Sequence, residues 1–176
     1  MNNEPLHRLR LDYKAAALPP DEAASQIGSA LAAGLRAALS EGRTFKLRRR
    51  ESGLFRAENV DNGFPLTPSA DAELLAALAG TVPHLPSVAQ ERAAGLPVGP
   101  EEGASAGLLL LRLFRESARL GVWLSLDYRP ATAPHLRYRL VFRGAGRVAW
   151  RYLRADTLIG LLTEGLAFLA TDPVVL

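Results

Sequence analysis

The stretch Val122 to Arg154, VWLSLDYRPATAPHLRYRLVFRGAGRVAWRYLR, decides how this chain folds. Bulky apolar residues recur at every second position in three runs: Leu124, Leu126 and Tyr128; Leu136, Tyr138, Leu140 and Phe142; Val148, Trp150 and Tyr152. Successive side chains of a strand point to opposite faces, so this period of two predicts half-buried strands over 122–129, 135–143 and 147–154. The connections, Pro130 to Pro134 and Gly144-Ala145-Gly146, are short, which suits an antiparallel meander. Turning the apolar set inward leaves Trp123, Asp127, Arg129, Arg137, Arg139, Arg143 and Arg151 on the other face, a cationic surface with one aromatic.

Helical patterns flank the meander. Pro100, Glu101 and Glu102 open a helix to about Leu120 whose centre, Leu108 to Leu111 with Leu113 and Phe114, is apolar on nearly every side and so belongs in the interior. Asp156 to Ala170 carries Leu158, Leu161, Leu162, Leu166 and Leu169 as one stripe and should pack on the sheet. Further upstream, residues 6–14 alternate as a strand, and Ile27, Leu31, Leu35 and Leu39 form a helical stripe opened by Pro20 and closed by Gly42. A hairpin is expected over Thr44–Arg50 and Leu54–Val60, then a break at Asp61-Asn62-Gly63 and a short helix after Pro68.

The resulting order is β-α-β-β-α, then α-β-β-β-α, an α+β class with antiparallel sheet packed against helices. On this reading each half has its own helix-flanked sheet. Residues 81–100 hold four prolines and form an ordered connection between possible pseudo-halves 6–80 and 101–170 of one domain covering 1–176. The echo between LRLDYKAAALP (9–19) and LSLDYRPATAP (124–134) is no evidence of repetition, because a helix is expected after the first and a strand after the second. In outline this architecture resembles small bacterial secretion-chaperone-type and toxin-immunity-type folds, without a motif to carry the likeness.

Bulk composition narrows the chemistry. With 176 residues, 48% apolar and 22% charged, the chain can bury a core and lies far from the composition of disorder. No cysteine is present, which removes disulfides, thiolate nucleophiles and Cys-based zinc or iron–sulfur sites. His7, His84 and His135 are far apart and lack a second ligand at metal-site spacing, so neither metal nor cofactor is expected. No G-x-S-x-G, Walker or G-x-G-x-x-G pattern occurs. The polar N-terminus and the lack of a run of about 18 apolar residues predict a cytoplasmic protein outside the membrane.

Basic residues are almost all arginine, Lys14 and Lys46 being the only lysines, and the net charge is +3. Arginine suits bidentate contacts to carboxylate and phosphate, although a GC-rich genome produces the same bias. A second basic run, Lys46, Arg48, Arg49 and Arg50 with Arg43 nearby, lies on the first hairpin, where it also protects an edge. The α-β-β-β-α order matches a double-stranded-RNA-binding domain, but the final helix begins RADTLIGLLTEGL, without that domain's lysine cluster.

The expected function is therefore a non-catalytic protein-binding module, of chaperone, adaptor or toxin-immunity kind, that occludes an acidic protein partner through the arginine face. Nucleic-acid binding through the same face is the alternative. The apolar tail, Pro173 to Leu176, should dock on the body or on a second copy in a homodimer.

Overall fold

The computed structural model describes residues 20–49, 55–61, 64–65, 86–144 and 150–171. The first element is α1 (Pro20–Glu41), with Pro20 in the first turn, where a missing N–H costs no helical bond. There follow β1 (Thr44–Arg49), β2 (Phe55–Asp61) and the two-residue β3 (Phe64–Pro65). Next come a short helix α2 (Val88–Ala93) and a long one, α3 (Gly99–Arg119). The chain continues through β4 (Trp123–Tyr128), a 3-10 turn (Pro134–Leu136), β5 (Tyr138–Arg143), β6 (Trp150–Ala155) and α4 (Leu158–Thr171).

This is an α+β fold with antiparallel sheet packed on helices, but the strands form one sheet and not two. Its order is β3-β2-β1-β4-β5-β6. The join is β1 with β4, which sets Phe45 opposite Tyr128 and Leu47 opposite Leu126. Two half-sheets would each leave an open edge of unpaired N–H and C=O groups at this point, and pairing them removes both edges.

Helices α1, α3 and α4 cover one face of the sheet. Phe45, Leu47, Leu124, Leu126, Leu140 and Phe142 meet Leu35, Leu110, Leu113, Phe114, Leu161 and Leu162 there, all of them buried. Each such side chain contributes about 1.5–3 kcal/mol from its removal from water. Between α1 and α3 the backbones themselves touch: a Cβ at Gly28 would lie 1.9 Å from the Gly103 carbonyl oxygen, and one at Gly107 2.0 Å from that of Ala24. Residues four apart share one helix face, so Ala24 with Gly28, and Gly103 with Gly107, make a flat seam.

The proline-rich connection contains a helix that alternation and stripes did not reveal. Ser87 caps α2 through Gln90 N–H at 3.3 Å, and Gln90 Oε1 accepts from the Ser87 N–H at 2.8 Å, a reciprocal capping box. Arg36 of α1 reaches the buried Glu91 of α2 at 2.7 Å. Gly95 ends α2 at φ +73°, and its carbonyl accepts from Leu158 N–H at 3.0 Å, fixing where α4 begins.

Two strand expectations are corrected. The second meander strand starts at Tyr138, not at His135: Pro134 opens a 3-10 turn, Arg137 takes helical φ/ψ, and Leu136 and Arg137 lie outside the ladder. In β6 the phase is reversed. Tyr152 stands opposite Val141 and Leu153 opposite Leu140, so Tyr152 faces away from the helices while Arg151, opposite Phe142, falls on their side. Alternation separates two faces without saying which is inward, and at this outermost strand Leu153 and Ala155 suffice to meet the helical layer. The expected strand 6–14, the helix after Pro68 and the tail 172–176 lie outside the described residues, as does residue 148.

Candidate functional site

The sheet face away from α1, α3 and α4 is organised by register into rows that cross the strands. One row runs Lys46, Asp127, Arg139, Arg154 from β1 to β6, and Glu58 on β2 stands opposite Lys46. Two residues along, Arg48, Ser125, Val141 and Tyr152 form the next row; beyond it Trp123 stands opposite Arg143. The spacing between rows is about 6.8 Å, twice the rise of an antiparallel strand.

Asp127 is the polar centre. Its side chain is 3% exposed, and Arg139 donates to Oδ2 from Nε at 3.1 Å and also from Nη2. Ser125 donates to the other oxygen at 3.0 Å. Arg129, just past the end of β4, holds its guanidinium 3.9 Å from the same carboxylate. These donors take the place of the water that burial removes from the carboxylate. Arg139 is also placed over the ring of half-exposed Tyr152, 5.6 Å from its centroid, a cation–π arrangement.

Around this pair Lys46, Arg48, Trp123, Ser125, Asp127, Arg139, Val141 and Tyr152 enclose a shallow cavity of about 210 Å³. Ser125 and Val141 form its buried floor. Burial pushes the Lys46 ammonium below its ordinary pKa; Asp127 opposes that shift, and Arg48, Arg129 and Arg139 add to it. Among the described residues the lining carries three cations and one carboxylate, and that carboxylate is engaged by Arg139.

Of the surface residues expected from alternation, Trp123, Asp127 and Arg139 come together in this cavity, with Arg129 beside it. Arg143 occupies the same face by register and is exposed. Arg137 and Arg151 do not belong to the site. Arg137 donates to the Ala93 carbonyl at 2.8 Å, at the far side of the 3-10 turn, and Arg151 sits on the helix side of β6. Lys46 and Arg48 enter from β1, and Tyr152 and Arg154 enter through the reversed phase of β6.

A second cavity of about 400 Å³ is lined by Leu39, Ser40, Pro86, Gln90, Ala93, Ala94 and Arg137. Among the described residues Arg137 is its one ionisable lining residue. His135 lies exposed on the 3-10 turn, and His7 and His84 fall outside the described residues.

The chain matches no protein-family model, and neither a curated protein nor a solved structure is significantly similar to it. Among the described residues no helix is long and apolar enough to cross a membrane.

Proposed function

We propose that this protein is a non-catalytic protein-binding module, of the chaperone, adaptor or toxin-immunity kind, that occludes an acidic partner with the open face of its sheet. The observation that carries this reading is the cavity between Trp123 and Tyr152. At about 210 Å³ it falls below the roughly 300–1,000 Å³ that encloses a small-molecule substrate, and its size suits the end of a single side chain. Aromatic and arginine groups around a small desolvated floor are the composition of an interface hot spot. The Asp127 carboxylate is held by Arg139 and Ser125, which favours a positioning role for it over proton transfer.

Replacing Tyr152 by a photoreactive benzoylphenylalanine tests the reading, with the same replacement at exposed Arg112 on α3 as control. Irradiation in the native host should give a discrete protein adduct from position 152 and not from 112. An adduct removed by nuclease would transfer the face to nucleic-acid binding; no adduct beyond the control would overturn the reading.

A further inference from the structure

We propose that the edge strand β6 accepts an extended acidic segment of a partner protein as a further antiparallel strand, with carboxylates three residues apart set opposite Arg154 and Arg151. This rests on the protein-binding reading above and names how the acidic partner is held at the border of the open face.

The backbone supplies the first argument. β6 ends the sheet order, and its register against β5 runs unbroken from Arg143 opposite Trp150 to Tyr138 opposite Ala155. Among the described residues no strand pairs with its outer side, so alternate N–H and C=O groups of β6 point away from the sheet. The strand, WRYLRA, contains neither a proline nor a bulge, two devices that close an edge to further pairing.

Charge supplies the second. Arg151 and Arg154 are exposed and stand on opposite faces of β6. On β5 they meet no acid: Arg151 is opposite Phe142, and Arg154 is opposite Arg139, itself bound to Asp127. A strand laid antiparallel against β6 places one residue directly opposite each arginine, about 4.5–5.5 Å away between Cα atoms. Opposite charges at such positions stabilise pairing and like charges oppose it. The two arginines thus close the edge to basic segments and select acidic ones. A second copy of this chain brings the same two arginines and fits less well. Between them Leu153, half-buried against the helical layer, favours an apolar residue on the guest.

The test uses the full chain, isotope-labelled, with nine-residue Ser/Thr peptides having Glu-Val-Thr-Glu at the centre. Read antiparallel, that order sets Glu, Val, Thr and Glu opposite Arg154, Leu153, Tyr152 and Arg151. At saturation, alternate backbone amides of β6 should exchange with deuterium more slowly than in the free chain, a signature that side-chain docking alone lacks. Gln-Val-Thr-Gln should bind about tenfold more weakly in NMR titrations, and Lys-Val-Thr-Lys more weakly again. In the double variant Arg151→Glu, Arg154→Glu the preference should reverse to the Lys peptide; both positions are exposed, and a melt verifies the fold. Equal binding of Glu and Gln peptides to the parent, or unchanged exchange in β6, would overturn the proposal. So would protection of the β6 amides that grows with the concentration of the free chain, which assigns the edge to a second copy. If a protein adduct at position 152 persists under those outcomes, strand addition fails while the binding module stands; if the adduct is missing too, both fail.

Discussion

Arg139 and Asp127 stand directly opposite one another on β5 and β4, and both Nε and Nη2 of the guanidinium converge on a single carboxylate oxygen, Oδ2. The acid is 3% exposed and the arginine side chain 24%, so the pair straddles the boundary between interior and water. Removing one member of a fully buried pair costs about 3–5 kcal/mol because the other is left uncompensated, and the exposure of Arg139 lowers the expectation. Arg139→Met should cost about 2 kcal/mol in urea unfolding. Arg154→Met, at an exposed position in the same row, should stay within about 0.5 kcal/mol. Equal costs would show that the Asp127 contact contributes nothing.

Tyr128 and Tyr138 pack ring against ring on the helix side, centroids 4.8 Å apart, yet their hydroxyls differ. Tyr138 donates to the Ala94 carbonyl at 3.1 Å, whereas the buried Tyr128 hydroxyl has no partner among the described residues. Leaving a buried hydroxyl unsatisfied costs about 1–3 kcal/mol. Tyr128→Phe should therefore be neutral or stabilising, and Tyr138→Phe should lose about 1 kcal/mol by chemical denaturation. The reverse order would contradict the assigned hydrogen bond.

The same two phenols make stability sensitive to alkali. Burial pushes Tyr128 from about 10 up to about 12, and burial, with Tyr128 beside it, drives Tyr138 higher still. A folded pKa above the unfolded one means that this contribution is intact below pH 10 and is lost as pH rises through 10 to 12. Unfolding free energy followed by circular dichroism should fall over that window, and fall less steeply in Tyr128→Phe. A flat profile from pH 9 to 12 would refute the assignment.

Within the α1–α3 seam, glycines four residues apart should respond in opposite ways. Gly107→Ala forces a Cβ against the Ala24 carbonyl, and Gly28→Ala does the same at Gly103; each should cost about 1–3 kcal/mol through backbone displacement. A Cβ at Gly103 meets nothing within 4 Å, so Gly103→Ala should be neutral or gain up to about 1 kcal/mol from helix propensity. Thermal melts of the three variants check the ranking.

Local patterns made much of this architecture legible. Leu124 and Leu126, and Leu140 and Phe142, alternate because one face of β4 and β5 is core, and Leu31 with Leu35 marks the inward stripe of α1. The phase of β6 was not legible, since Tyr152 and Leu153 are both able to bury and the hairpin register, Arg143 opposite Trp150, makes the choice. Counting in twos places Arg137 on the cationic face, which fails once Pro134 winds the chain into a 3-10 turn.

The site was half visible for a different reason. Trp123, Asp127 and Arg139 lie on adjacent strands of a hairpin and can be placed by local alternation. Lys46 and Arg48 reach them only because β1 pairs with β4, a long-range contact that no periodicity near either strand records. The capping box of α2, Ser87 with Gln90, was present as a local signal and could have located the helix inside the proline-rich connection.

The seam at the middle of the sheet also governs how the molecule assembles in time. Lys46 and Asp127 are neighbours across it although about eighty residues separate them along the chain. The hairpin containing β1 therefore has to hold its shape, or re-form it, until β4 has emerged from the ribosome and found it. Synthesis of the first half alone leaves a sticky ribbon side with no mate, and the slow event in refolding should be closure of this wide chain loop and not the winding of any helix.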